Sequence, residues 1–446
     1  MTGRARRALA AATLALVTTA AAPAPAAAQG ACADCVVAGA AGVPITVPAG
    51  TPLAGYGGFQ RRLFLPDVFD RYPHAFWFTP GRGERDALAT RALVLERDGT
   101  RVIWVAVDLV AVDRAFTDTV ATRLARAGAR PGVLIVSASH THSGPGAFVD
   151  SALLGFVAVD REDAAVREAL VASVVEAVRK ADGARGPARV SVGTAAAPSV
   201  VRSRLGGPLD LEMVVLAVRR ASGAPVALVW NFAIHGTMLS ARNLKLSGDV
   251  MGVASATLER ALGAPALFVN GAVGDVSPAR HGGEALAAVA AALAETARAA
   301  WSSAVPVGPG PLVARVARMD LPAPQLSLRN CLGGWMPAAV TLPLDGAFPG
   351  ETTLTGVALG DTAWVALPGE PATALGLRIK SEARRSFRHA FVAGVSNDYV
   401  GYLVAAPDYA RPAYVTCNSV YGAETGDRIA ARASALLREL GTGRGR

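Results

Sequence analysis

Five short apolar runs in this 446-residue chain each end on a polar cluster, and that repeated junction limits the fold more than any other feature. Residues 133–138 lead to His140 and His142, 225–234 to His235, and 264–269 to Asp275 and Ser277; 362–367 lead to Glu370, and 390–395 to Asn397 and Tyr402. Rich in β-branched residues and closed by Gly, Pro, Ser or Asn, these runs read as strands. Amphipathic helical patterns lie between and beyond them, over about 116–127, 161–181, 249–262, 283–301, 372–383 and 423–440. The alternation predicts an α/β chain, a layered mixed-sheet domain with its site at the carboxyl ends of strands. An Asp98-Gly99 turn between 90–96 and 101–108 adds a hairpin. Asp249 is placed as a helix cap, and no internal repeat is readable.

The N-terminus calls for separate treatment. Arg4, Arg6 and Arg7 precede an Ala/Leu-rich run that ends on Ala26-Ala27-Ala28, the pattern of an export signal cleaved after Ala28. Residues 29–50, rich in Ala, Gly and Pro, read as a leader, and 51–442 as one catalytic domain. No other stretch reaches the roughly 18–20 apolar residues of a membrane span. The expectation is an exported chain, periplasmic or secreted. In that setting the four cysteines suit two disulfides, Cys32 with Cys35 and Cys331 with Cys417.

The formal charge of +9 comes almost wholly from arginine, because Lys180, Lys245 and Lys380 are the only lysines. The arginines are scattered, with no basic block, so nucleic acid is excluded as a partner. What remains is a solvated surface with some attraction for anionic substrates or transient membrane-surface contact. A long loop over 59–78, rich in Phe, Pro, Arg and Asp, either packs down on itself or touches an apolar substrate.

His140 and His142, two residues apart at a strand end, share a face if the backbone stays extended. With His235 and Glu370 they offer imidazoles and a carboxylate, the donor set of a catalytic zinc that keeps one position for water. Each signal alone has a plainer reading: Glu370 as a helix cap, Asp275 and Ser277 as turn residues, the His pair as core residues. The absence of HExxH and of G-x-S-x-G argues against common metalloproteases and ordinary α/β hydrolases.

Taken together, His140-Thr-His142-Ser-Gly-Pro, Asn231-x3-His235, Asn270-x3-Gly274-Asp275-x-Ser277-Pro278, Pro368-Gly-Glu370 and Asn397-x-Tyr399-x2-Tyr402 with Tyr414 resemble, in order, the catalytic domain of the neutral ceramidases. The similarity runs from about Gly55 to Tyr421, and no counterpart of the family's C-terminal immunoglobulin-like domain is expected. The resemblance implies a zinc amidase that acts on the linear amide of an N-acyl sphingoid base or related N-acyl lipid. It implies one zinc per chain, held by His140, His235, Glu370 and Tyr402. It implies catalytic roles for Ser277 near the scissile amide and for His142, Arg202 and Tyr414 in acid/base and oxyanion work; Arg204 competes with Arg202. Two other readings stay open: an exported binding or structural protein that keeps the fold and a metal site, and Ser277 as a covalent nucleophile with His142 as its base.

Overall fold

Three copies of one chain path build the protein. The computed structural model describes residues 34–442; the export signal, its cleavage site and Cys32 lie outside them. In the first copy, β1 (Val36–Pro44), β2 (Ala89–Arg97) and β3 (Thr100–Val107) form an antiparallel meander. Helix α1 (Arg114–Arg126) then returns the chain to β4 (Val133–Ala138), parallel to β3, and α2 (Ala164–Gly183) follows. The second copy repeats the path with β5 (Gly186–Ala196), β6 (Glu212–Arg220), β7 (Pro225–Phe232), α3 (Asp249–Leu262), β8 (Ala266–Asn270) and α4 (Gly283–Ser302). The third uses β9 (Leu312–Asp320), β10 (Glu351–Leu359), β11 (Thr362–Ala366), α5 (Thr373–Ala383), β12 (His389–Ala393) and α6 (Thr425–Thr442). Sequence gives no sign of this repetition, because it lies in the connectivity and not in shared residues.

The first two copies join through β1 and β5 into a nine-stranded sheet of order β4-β3-β2-β1-β5-β6-β7-β8, to which Val305–Pro306 adds a strand on β5. The third is a separate four-stranded sheet, β9-β10-β11-β12. Helices α1 and α2 cover β1–β4, and α3 and α4 cover β5–β8. The other face of the large sheet packs on the small one, whose outer face carries α5 and α6. The result is a helix/sheet/sheet/helix layering, the mixed α/β class expected. Trp104, Trp364 and Phe391 stack between the sheets with centroids 5.2 and 5.8 Å apart, aromatic contacts that add ~0.5–1.5 kcal/mol each to the burial of their area.

The leader reading of 29–50 needs correction, since 36–44 is a full sheet strand. Its Ala/Gly composition answers to close packing: a Cβ on Gly39 would come within 2.2 Å of the Ala181 carbonyl oxygen on α2. The Asp98-Gly99 hairpin forms as expected, both residues having the positive φ such a turn demands. Cys331 is bonded to Cys417 as read, and Cys35 is also disulfide-bonded.

Candidate metal centre

The carboxyl ends of strands from all three copies converge on one point. Strand β4 stops at Ala138, where the backbone amides of Ser139 and His140 donate to the carbonyls of Val107 and Leu109. His140 itself is left-handed, with φ of 69°. The rule that puts residues i and i+2 on one face of an extended strand therefore does not hold here. The imidazoles meet because of the turn: the Nε2 atoms of His140 and His142 are 3.5 Å apart with the rings at 89°. A left-handed non-glycine residue costs on the order of 1–3 kcal/mol. Such strain, placed on a site residue, is the usual price of fixing a geometry.

His235 follows β7 and brings its Nε2 within 3.0 Å of His140 Nε2. Glu370 follows β11, with Oε2 3.3 Å from His140 Nε2 and 3.5 Å from His235 Nε2. Each of these imidazoles faces a backbone carbonyl through Nδ1, His140 at 2.6 Å from Val110 and His235 at 3.3 Å from Val273. A carbonyl only accepts, so Nδ1 carries the proton and Nε2 presents a bare lone pair. Burial, reinforced for His142 by His140 and for His235 by Arg204, holds both well below the ordinary histidine range and keeps them neutral. Glu370 Oε1 accepts from the Tyr399 hydroxyl at 2.6 Å, while Oε2 has no hydrogen-bond donor.

Two lone pairs and an orphaned carboxylate oxygen, buried within 3.5 Å of one another, repel unless a cation lies among them. The residues present thus fit a zinc ion, for which neutral imidazoles and a carboxylate are the common ligands. His142 belongs to the cluster too, since the three imidazoles each offer a nitrogen within 4.8 Å of the others. The Tyr402 hydroxyl is 3.5 Å from His235 Nε2 and receives Arg204 Nη1 at 3.2 Å. Burial and then the Glu370 charge push its pKa well up, so in the absence of a cation it is a neutral phenol.

The remaining assignments divide. Ser277 sits in a short ribbon, Val276–Pro278 paired with Val201–Ser203, and its Oγ takes a 2.6 Å bond from Arg204 Nε. Arg202 lies opposite Ser277 in that ribbon but is exposed. Arg204 is the arginine in the site. Residues two apart on one ribbon carry the same pattern signal, so sequence could not separate them; the bond from the Arg204 amide to the Asp275 carbonyl decides which one turns inward. Tyr414 stands two-thirds exposed at the rim, its ring edge-on to Tyr402 at 5.8 Å.

Two residues of the polar clusters are braces. Asp275 accepts from both the amide and hydroxyl of Thr373 at 2.7 Å, pinning the chain just after Glu370. Asn397 bonds the edge of β4 through Val136 and Leu134. Asp249 is not the helix cap expected: Gly248 holds that position, and the Asp249 carboxylate accepts from the amides of Val250, Met238 and Leu239. The Leu239 carbonyl in turn receives the Tyr56 hydroxyl, and Tyr56 sits edge-on to His142 at 5.1 Å. Tyr56 and Tyr399 had no assigned role in the sequence reading. The signal for the first was Gly55: a Cβ there would lie 2.7 Å from the His142 ring.

A cavity of about 510 Å³ opens onto the cluster. His140, His142, Glu370 and Tyr402 line one part of it; Val149, Leu154, Val157, Leu344, Phe348 and Val420 are among the apolar residues of its other walls, which also carry Arg62, Asp113 and Asn418.

Residues 79–311, just over half of the chain, match the family model described as neutral/alkaline non-lysosomal ceramidase, N-terminal. The chain belongs to that family. It is 28% identical over 212 residues to a neutral ceramidase of Pseudomonas aeruginosa, covering 42% of this chain and 31% of that protein. It is 30% identical over 192 residues to a neutral ceramidase of Oryza sativa subsp. japonica, covering 39% of this chain and 24% of that one. These matches span about a quarter to a third of the relatives' length. Among solved structures, a ceramidase complexed with C2 superposes with a TM-score of 0.79 at 19% identity, over 91% of this chain and 75% of the other. The P. aeruginosa neutral ceramidase gives 0.77 at 19% identity, over 92% and 75%. The ceramidase-family fold thus extends well beyond the matched residues 79–311.

Proposed function

We propose that this chain is an exported, zinc-dependent amidase that hydrolyses the linear amide of an N-acyl sphingoid base, ceramide, or a related N-acyl lipid. The observation that carries the reading is the convergence of bare nitrogen and carboxylate donors at one wall of a mainly apolar cavity. His140, His235, Glu370 and Tyr402 would hold the ion. When bound, it supplies Lewis acidity, which polarises a carbonyl and makes water a competent nucleophile near neutral pH.

The chain's own groups do the rest. Water adds to the amide carbon, the C–N bond breaks, and the products are a carboxylate and an ammonium, both protons of the water having passed to the departing nitrogen. The carbonyl oxygen gains negative charge on the way, and the Arg204 guanidinium beside Tyr402, with Tyr414 at the rim, is the cationic and donor surface available to it. His142, neutral and in contact with His140, is the group able to take a proton from the attacking water and pass it to the departing nitrogen. Ser277 has its oxygen engaged by Arg204 Nε at 2.6 Å, which favours a positioning role over covalent attack. The apolar walls would take the acyl chain.

Metal content of the purified protein, measured beside turnover of a fluorogenic N-acyl sphingosine with His140→Ala as control, tests this. Expected are about one zinc per chain and amide turnover that the substitution abolishes. Protein that holds no metal, or that cleaves esters and no amides, would overturn it, and a metal-bound protein with no turnover would favour the binding-protein reading.

A further inference from the structure

From the exposed faces around the cavity mouth, we infer that the protein docks on a lipid bilayer surface through two apolar lobes, the loop from Phe59 to Phe69 and the segment around Trp335. The loop of residues 59–78 divides in two. Phe78 is buried, whereas Phe59, Phe64 and Phe69 are 84, 100 and 80% exposed, with Leu65 and Val68 beside them. None of these five lines the cavity. They therefore neither complete the core nor form the acyl channel.

The loop is held in that shape. The Leu63 and Asp67 amides donate to the Trp77 and Phe76 carbonyls, and the Thr79 amide to the Arg61 carbonyl. At its base the Asp160 carboxylate accepts from the amides of Phe76, Trp77 and Phe78. The apolar tips thus stand in water on a braced support, an arrangement that costs free energy unless something covers them.

Trp335, 76% exposed, and Leu332 form the second lobe. Both lobes border the same opening: Gly58 and Arg62 line the cavity on one side, Leu326, Leu344 and Phe348 on the other. Apolar tips on both sides of a mouth match a flat apolar medium better than an extended peptide, and aromatic side chains are favoured at the membrane boundary. Charge agrees. Arg61 and Asp67 are buried, but Arg62 and the exposed Arg71 outnumber the exposed Asp70 at the first lobe, Arg329 has no acidic neighbour over 325–343, and the chain carries +9. An anionic lipid surface attracts such a face. The choice of lipid as occupant rests on the function proposed above, because a long acyl chain could then pass from bilayer to cavity without crossing water.

Co-sedimentation with ceramide-free vesicles tests the docking apart from catalysis. The wild-type chain should bind phosphatidylcholine vesicles, and bind more tightly when phosphatidylglycerol is included. The doubly substituted F64D/F69D chain should lose on the order of tenfold in partitioning. Its turnover of a water-soluble short-acyl fluorogenic amide should stay within about twofold of wild type, because neither residue reaches the cavity. A Phe64→Trp chain gives a second reading, with blue-shifted emission that brominated lipids quench. Failure of wild type to bind either vesicle, equal binding by F64D/F69D, or no quenching in Phe64→Trp would overturn the inference. So would wild-type self-association that the double substitution disperses, which would assign the face to a second copy. Vesicle binding without amide turnover would sink the proposed function and leave the docking intact; the converse would sink the docking alone.

Discussion

At the scale of single residues, Arg204 and Arg202 make the sharpest contrast. Arg204 bonds both Ser277 and Tyr402, so Arg204→Met removes the cation from beside the reacting carbonyl; kcat should fall about a hundredfold or more, a typical cost for one oxyanion donor. Arg202→Met, at an exposed position, should stay within about twofold. Equal losses in steady-state kinetics would mean that the guanidinium acts through structure alone. Tyr399→Phe addresses the metal instead. The hydroxyl that holds Glu370 Oε1 disappears, and zinc affinity measured by chelator competition should weaken by about tenfold. The side chains proposed to hold the ion were legible in sequence because motif order and chemistry singled out His140, His235 and Glu370 together. The choice between two arginines on one ribbon was not, since the turn that separates them is set by the Asp275 carbonyl.

At the scale of elements, period and composition found the helices and most strands but missed β1, where close contact with α2 selects the small residues that also mark linkers. They placed α3 correctly at 249–262 but misassigned its cap, which is Gly248 and not Asp249. Asp249 has φ of 52° and a carboxylate buried beneath the 238–239 turn; burial, against three amide donors, pushes its pKa up to about 6. A carboxyl raised from 3.8 in the folded state binds its proton more tightly there than when unfolded. Its contribution to stability is full below about pH 4 and is lost as the pH rises to about 6, up to ~3 kcal/mol in all. Asn tolerates the left-handed backbone and does not titrate. Urea melts of wild type and Asp249→Asn should therefore converge in favour of the variant between pH 4 and 7, and a pH-independent difference would show that the carboxyl is not shifted. The disulfide between Cys331 and Cys417 ties the Trp335 segment to the helix that begins at Tyr414, closing a separation of 86 residues. Replacing both cysteines by serine should cost ~2–4 kcal/mol in thermal melts and raise KM more than it lowers kcat, since it loosens the rim and leaves the ligands in place.

For the whole molecule, the threefold chain path gives the site its logic. The first copy supplies His140 and His142 after β4, the second His235 after β7, and the third Glu370 after β11 and Tyr402 after β12. Each copy buries its helices on its own strands, so each has a core of its own, and the donors are where the three meet. Their mutual repulsion opposes that meeting. A cation among them reverses the sign, and its binding free energy then stabilises the contact between copies as well as the site. With free zinc at about a thousandfold its Kd, linkage adds ~4 kcal/mol to stability. Stripping the metal with a chelator should lower Tm by several degrees. Amide hydrogen exchange should rise together at residues 139–142, 234–238 and 399–403, one segment from each copy, and His235→Ala should lose the response. Exchange confined to a single copy would show that the donors report on local structure and that the three units are held together by the Trp104, Trp364 and Phe391 stack and its surroundings alone.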